Sequence, residues 1–335
     1  LQPGTVARIF TGAPVPAGAD AVVMQEDAES AGEAGEEGGQ ASVRFKTLPS
    51  SGQWIRRRGE DVRAGTVVLP AGTRLGPAEL GLTASMGYAH LPVRRRVRVA
   101  LFSSGDELVM PGDVPPERMK PGAIYNSNRF FLRALLHRLG CEVSDRGIVP
   151  DQREATVAAL RAAADSHDLI LTSGGVSVGE EDHIRPAVQH LGGLDLWQIG
   201  MKPGKPFAHG WLDRPSPQGR CHFVGLPGNP VSSFVTFVVL VRPFLRRLQG
   251  LPLEACTLPK PQLRQAHFEL AKGDKRREFL RVRLNAQGGL DLFHNQSSGV
   301  LTSVVWGDGL LDNPPDGVIR YGDDVHYLPF DTLLD

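Results

Sequence analysis

The stretch from residue 97 to 248 most constrains the fold, because β-prone apolar runs alternate there with helical patterns. The β-prone runs fall at 97–102, 142–149, 169–171, 197–201 and 222–225. Helical spacing marks 128–139, 153–164, 183–191 and 231–248. In the first of these Leu132, Leu135, Leu136 and Leu139 share one helix face, and Gly140 stands where a helix-ending glycine belongs. Strand and helix in alternation predict a multidomain α/β chain whose central sheet is mostly parallel and covered on both faces.

The flanks read differently. Residues 1–62 form a β-rich domain, with β-prone runs at 6–10, 21–25 and 42–48. The segment from Thr11 to Gly18 holds two prolines and two glycines, which make a rigid turn. A Gly/Glu/Ala segment at 28–40 reads as a hairpin tip without a packed role. Residues 63–95 are a linking segment with one amphipathic helix near 77–86, entered at Pro77. That is too little to bury a core, so it is expected to pack on a segment upstream. The α/β domain spans 96–249. Residues 250–335 read as a small, barrel-like all-β domain with runs at 257–262, 279–284, 289–294 and 323–329.

At 335 residues the chain exceeds a single core, so two to four domains are expected. Its formal net charge is zero, which offers no global pull towards nucleic acid or an anionic membrane. The arginines at 56–58 and 94–96 lack interleaved aromatics and read as solvated faces, so no nucleic-acid partner is expected. The most apolar run, 231–244, is interrupted by Ser232, Ser233, Thr236 and Arg242, so no membrane partner is expected either. Cys141, Cys221 and Cys256 are scattered, which suits a reducing cytoplasm and argues against a thiolate metal site. The chain begins at Leu1 without a methionine and reads as a piece of a longer protein.

In an open α/β sheet, ligands bind at the carboxyl ends of the strands. Five loops there share one character. The first run ends in Ser103-Ser104-Gly105-Asp106-Glu107, and the second leads to Asp151. The third ends in Ser173-Gly174-Gly175-Val176-Ser177-Val178-Gly179, followed by Glu180, Glu181 and Asp182. The fourth ends in Lys202-Pro203-Gly204-Lys205-Pro206 and the last in Pro227-Gly228-Asn229. Each loop alone reads equally well as turn chemistry; their coincidence at one edge is the signal. Amides of the Gly174-Gly175 loop and the ammonium groups of Lys202 and Lys205 suit an anion. Glu107, Asp151 and Asp182 could hold a hard cation such as Mg²⁺ through oxygen, or serve as loop and helix-cap carboxylates. His183 reads as a first-turn surface histidine, since no second histidine stands at ligand spacing. The 200–205 stretch is too short for a nucleotide-binding P-loop and lacks its Ser/Thr, and no GxGxxG follows the first run.

Six motifs together resemble one family. They are Arg-Ile-Phe-Thr-Gly-Ala-Pro at 8–14, Arg-Arg-Gly-Glu-Asp at 57–61, Ser-Gly-Asp-Glu-Leu at 104–108, Ser-Gly-Gly-Val-Ser-Val-Gly at 173–179, Lys-Pro-Gly-Lys-Pro at 202–206 and Gly-Leu-Pro-Gly-Asn-Pro at 225–230. The chain resembles the molybdopterin molybdenumtransferases of the MoeA type, related to the E domain of gephyrin. The resemblance implies a central domain of the molybdopterin-binding type. It also implies a reaction in which adenylylated molybdopterin and molybdate are the substrates, Mg²⁺ assists, and AMP leaves. Lys202, Lys205 and the Gly174-Gly175 amides would then face the oxyanions, with Glu107, Asp151 and Asp182 at the metal. Thr11 and Asp61 match positions that the family presents from the other subunit of an elongated homodimer. Arg281 and Ser298 match cleft-lining positions of the C-terminal domain. Partners implied are a molybdopterin adenylyltransferase and apo-molybdoenzymes.

Two departures stand out. Gln198 follows Trp197 where family members can carry a lysine, which removes one cation. The family's N-terminal helices and an acidic site residue are expected upstream of Leu1. Two other readings are a molybdopterin adenylyltransferase, which the extra β domains disfavour, and a gephyrin-like scaffold binding a partner peptide, which the acidic and lysine loops disfavour.

Overall fold

The computed structural model describes residues 1–32, 42–149, 152–175, 183–215 and 219–334. The chain divides into two units, Leu1–Pro70 and Ala71–Asp335.

In Leu1–Pro70 the regular structure is an antiparallel hairpin of β1 (Ala28–Gly32) and β2 (Ser42–Phe45), with Ala28 opposite Phe45 and Ser30 opposite Val43. The expected strands at 6–10 and 21–25 do not form, and the 28–32 part of the expected tip is itself a strand. A strand needs a partner for its N–H and C=O groups. Here those of the first 24 residues go instead to short turns, such as Ala13 N–H to Phe10 C=O, or to isolated contacts, such as Val22 N–H to Gln53 C=O. No described residue of this unit is buried.

The larger unit opens with α1 (Pro77–Ser85), where Pro77 occupies the first turn as expected. The Glu79 carboxylate accepts the Gly76 N–H at 2.9 Å and closes that turn. There follow β3 (Arg98–Ser104), the short parallel pair β4 (Leu108–Val109) and β5 (Ile124–Tyr125), α2 (Asn128–Arg138), β6 (Glu142–Val149), α3 (Arg153–Ala164), β7 (Leu169–Ser173) and α4 (Ile184–Leu191). Next come β8 (Gly192–Gln198), β9 (Met201–Lys202), β10 (Pro206–Asp213) and β11 (Arg220–Leu226). A helical stretch completes this part as α5 (Pro230–Thr236), a π-turn at Phe237–Val241 and α6 (Arg242–Leu248).

The central sheet runs β6-β3-β7-β11-β10-β8. β6, β3, β7 and β11 are parallel, while β10 is antiparallel to both of its neighbours. Alternation of side chains along a strand decides the two faces. Val99 and Leu101 of β3 join Leu132 and Leu136 of α2 and Val231, Val235 and Val238 of the last helical stretch. Ala100 and Phe102 face the other way, against Leu160 of α3 and Ile184 and Val188 of α4. Both faces are covered, as the near-continuous apolar strands require.

Two expectations are corrected here. The fourth run does not extend from 197 to 201: β8 begins at Gly192 and ends at Gln198, and β9 is a separate piece in another sheet. β10 was hidden in the sequence by Pro206 and Gly210. Yet Gly210 is what lets β8 approach, since a Cβ there would lie 2.2 Å from the Gly193 carbonyl oxygen.

The C-terminal part contains β12 (Gln262–Gln265), β13 (Arg277–Leu284), β14 (Leu290–Leu292), α7 (Thr302–Trp306), β15 (Gly309–Asn313), β16 (Asp324–Pro329) and α8 (Phe330–Leu333). Its sheet runs β12-β16-β15-β13-β14, around a core of Leu280, Val282, Leu290, Leu311 and Tyr327. The expected strand at 257–262 is displaced to Gln262–Gln265, because Pro259 and Pro261 have no N–H for a ladder. The residues 231–241 are apolar all round because two layers cover them. Their core also includes Phe279, Leu310 and Leu328 of the C-terminal part. Among the described residues no helix is long and apolar enough to cross a membrane.

Candidate active site

The carboxyl ends of β3, β7 and β11 meet at one edge of the central sheet. Close approach there depends on glycine. Gly174 and Gly175 both adopt positive φ, +86° and +67°. A Cβ on Gly174 would lie 2.3 Å from the Ser104 carbonyl oxygen, and one on Gly175 would meet Ile184 at 2.6 Å and the Ser104 hydroxyl at 3.1 Å. Gly228 packs on Gly174 at an ordinary contact distance. A buried asparagine that the sequence did not single out ties the loops after β7 and β11 together. Asn128 Nδ2 donates to Ser173 Oγ at 2.8 Å and to the Gly228 carbonyl at 2.7 Å. It stands at the first position of α2, where the sequence signalled only a helix start.

The expected anion cradle at Gly174-Gly175 is corrected in one respect. The Gly174 N–H donates to the Leu226 carbonyl at 3.1 Å, so it is engaged in holding the loops and not free for a ligand. At the end of β3, Ser103 is buried and its hydroxyl has no partner among the described residues. Ser104 and Gly105 are half-buried, while Asp106 and Glu107 are exposed. The Glu107 carboxylate folds back over Gly105, within 2.4 Å of where a Cβ would stand, and makes no ion pair among the described residues. Asp151, Val176, Ser177, Gly179 and Asp182, with Glu180 and Glu181, lie outside the described residues. Among the described residues no group of three or more His, Cys, Asp or Glu could hold a metal ion. Glu107 is thus the described member of the expected metal set, and carboxylate oxygens suit a hard cation.

β8 runs in the same sense as β11, because β10 is antiparallel to both, so exposed Gln198 ends at the same edge. The lysine turn that follows is fastened on two sides. Gly204, with φ +115°, packs against Thr236 of α5, where a Cβ would lie 2.4 Å from Cγ2. On the other side β9 pairs in parallel with β13, placing Lys202 opposite Glu278. The Lys202 ammonium lies 3.0 Å from Glu278 and 3.3 Å from Asp274. Burial works to lower its pKa, but the two carboxylates outweigh it and raise it above the ordinary lysine value. Pro203 is buried, whereas Lys205 is exposed and has no ion-pair partner among the described residues.

The C-terminal part reaches this edge through Ser298. Its carbonyl accepts the Val231 N–H at 2.9 Å, just after Pro227, Gly228 and Asn229 enter α5. Asn229 is exposed and makes no side-chain cap. Arg281 lies inside the wall behind this loop, fully buried. It donates to Ser303 Oγ and the Phe279 carbonyl at 3.1 Å each, and to the Ser297 carbonyl at 3.5 Å. Burial pushes its pKa down to about 10, which still leaves it charged at neutral pH. In Leu1–Pro70, Thr11 sits in an exposed turn and Asp61 is exposed. A separate depression of about 630 Å³ is lined by Arg277, Asn313, Gly317 and His326, all of the C-terminal part; none of the edge loops lines it.

Known proteins align with the chain from end to end. The description "MoeA N-terminal region (domain I and II)" matches residues 1–87, "Probable molybdopterin binding domain" matches 100–247, and "MoeA C-terminal region (domain IV)" matches 264–330. The molybdopterin molybdenumtransferase of Haemophilus influenzae is 39% identical over 98% of this chain and 78% of its own length. That of a Nostoc species is 36% identical over 98% of this chain and 73% of its own length. Gephyrin of Dictyostelium discoideum is 34% identical over 72% of this chain but only 35% of its own length. The crystal structure of a molybdopterin biosynthesis MoeA protein from Pyrococcus horikoshii superposes with a TM-score of 0.74 at 25% identity, covering 98% of this chain and 78% of that one.

Proposed function

The chain belongs to the molybdopterin molybdenumtransferase family, the MoeA type, and from that premise we propose how its own residues serve the insertion of molybdenum into molybdopterin. The substrates are adenylylated molybdopterin and molybdate, and AMP is the leaving product. One observation carries this reading: at the carboxyl edge Asn128 ties the loops after β7 and β11, the loop after β3 packs on Gly174 and Gly175, and the lysine turn lies beside them. Such a rigid, polar floor suits an extended anionic ligand, because it need not be ordered when the ligand arrives.

Within that frame Lys205 meets an oxyanion of the substrates, since its ammonium has no competing partner among the described residues. Ser104, Gly105, Gly175 and Gly228 form the floor. Lys202 offers a second, fixed cation, and buried Arg281 adds positive charge behind the Ser298 loop. Glu107, together with Asp151 and Asp182, would hold Mg²⁺, which when bound neutralises the pyrophosphate of the adenylylated substrate. Thr11 and Asp61 are assigned to the site through a homodimer. Molybdopterin adenylyltransferase and apo-molybdoenzymes are assigned as partners before and after the step. A cytoplasmic location agrees with three buried, free cysteines.

The test is direct. Purified protein given adenylylated molybdopterin, Mg²⁺ and molybdate is expected to release AMP in proportion to molybdate. AMP release that ignores molybdate would overturn the assignment. Nothing observed favours the adenylyltransferase or the peptide-binding scaffold.

A further inference from the structure

Lys202 belongs by sequence to the α/β part, yet its fixed surroundings come from the C-terminal sheet. β9 is two residues long and pairs with β13 so that Lys202 stands opposite Glu278. Glu278 is only 4% exposed, and a carboxylate buried to that degree is costly unless it is paired and hydrogen-bonded. Its partners are complete. It accepts the Lys202 ammonium at 3.0 Å, the Asp274 N–H at 3.0 Å and Asn313 Nδ2 at 3.4 Å, and Asn313 is itself anchored on the Gly317 carbonyl. Asp274 stands 3.3 Å from the same ammonium and is gripped by Arg276 through two bonds of 2.9 and 3.0 Å. Lys202, Asp274, Arg276 and Glu278 thus form a charge-balanced set of two cations and two anions.

An ammonium has three N–H donors. Two face Glu278 and Asp274, and the Lys202 side chain remains 43% exposed, so one donor is left for an outside oxygen. A free lysine would have to give up rotamer freedom to present that donor, and here the loss is incurred on folding. We propose that Glu278 is a positioning residue, which holds the Lys202 ammonium so that its remaining N–H meets an oxyanion of the reacting substrates. The inference rests on the transferase reading for what the anion is; the hold itself does not.

Glu278→Gln keeps the size and one acceptor but removes the charge that fixes the lysine. Lys202 stays protonated in that variant but becomes mobile, so the expected signature is kinetic and divided. Turnover falls about tenfold, the loss that a modest misplacement of a reacting group brings, while KM for molybdate stays level or drops. In a Lys202→Ala background Glu278→Gln adds no further loss. Unchanged turnover, an equal rise in both substrate KM values with a lowered melting temperature, or a full additional loss in the Lys202→Ala background would each overturn the proposal. A second measurement does not need catalysis. In lysine-labelled protein the two ε-methylene protons of Lys202, assigned by their disappearance in Lys202→Arg, are expected to be inequivalent and to merge in Glu278→Gln. Averaged protons in the unmodified protein would sink the hold. Absent molybdate-dependent AMP release with inequivalent protons would sink the transferase reading alone.

Discussion

Two neighbouring parts of the same edge are held in place by opposite means. The loops after β3, β7 and β11 are set by sterics and neutral hydrogen bonds: absent Cβ atoms at Gly174 and Gly175, and one asparagine amide shared between Ser173 and Gly228. In the lysine turn the Lys202 ammonium is set by charge, through Glu278 of β13 and Asp274 of the loop before it. Steric placement is indifferent to salt and intolerant of a single methyl group. Ionic placement tolerates small changes of shape but can be loosened by removing one charge. A site built from both gains a rigid floor and a cation that is oriented without being buried.

The sharpest way to break the steric side is Gly174→Ala. Its Cβ would collide with backbone at 2.3 Å in a left-handed conformation, so a loss of about 3 kcal/mol in urea unfolding is expected, with AMP release falling below detection. Stability within 0.5 kcal/mol of the parent, on the order of an innocuous surface change, would show that the loops have slack. Next in size is Asn128→Ala, which leaves the Gly228 carbonyl and the Ser173 hydroxyl without their donor. About 2 kcal/mol of destabilisation is expected, together with a rise in KM for the adenylylated substrate.

Lys205→Ala sharpens the ionic side, because this lysine makes no ion pair among the described residues. KM for molybdate is expected to rise about tenfold by steady-state kinetics, with an unchanged unfolding midpoint. A drop in stability would mean that Lys205 is structural.

The smallest effect lies at Asp168, which directly precedes β7. Arg95 donates to it at 2.7 Å, and the Arg98 N–H at 2.9 Å. Burial works to raise the Asp168 pKa, but these donors outweigh it and hold the carboxyl below its ordinary value. A depressed folded pKa means that the contribution is complete above the unfolded value, near pH 3.9, and disappears as pH falls through the lower folded one. The gap between parent and Asp168→Asn in urea titrations is expected to be no more than about 1 kcal/mol at pH 7, since Arg95 is largely solvated. It should close in acid. A gap that widens in acid would reverse the sign.

The sequence disclosed what local periodicity can carry. β3, β6, β7 and β11 and the helices between them follow from apolar patterning, and the loop glycines marked the edge. β10 was not legible, because Pro206 belongs to a stretch that read as a loop and Gly210, which lets β8 pack closely, breaks the apolar pattern. Asn128 and Glu278 escaped for another reason. Neither has a local signature: Asn128 looks like a helix start, and Glu278 like an exposed residue of a strand rich in charge. Their roles come from registers between distant segments, 45 and 100 residues apart for Asn128, and from the β9–β13 pairing for Glu278. Thr11 and Asp61 were found through motif resemblance alone, and the described residues of Leu1–Pro70 add no partner that explains them.

The helical stretch from Pro230 to Leu248 has a further consequence. Its apolar residues are covered on one side by the central sheet and on the other by Phe279, Leu310 and Leu328. Neither layer can open without wetting the same helix. Heating should therefore melt the α/β and C-terminal parts in a single cooperative transition, despite their separate sheets. A polypeptide ending near Gly250 would carry a naked apolar stripe and precipitate. The chain has two architectures here but only one thermodynamic unit.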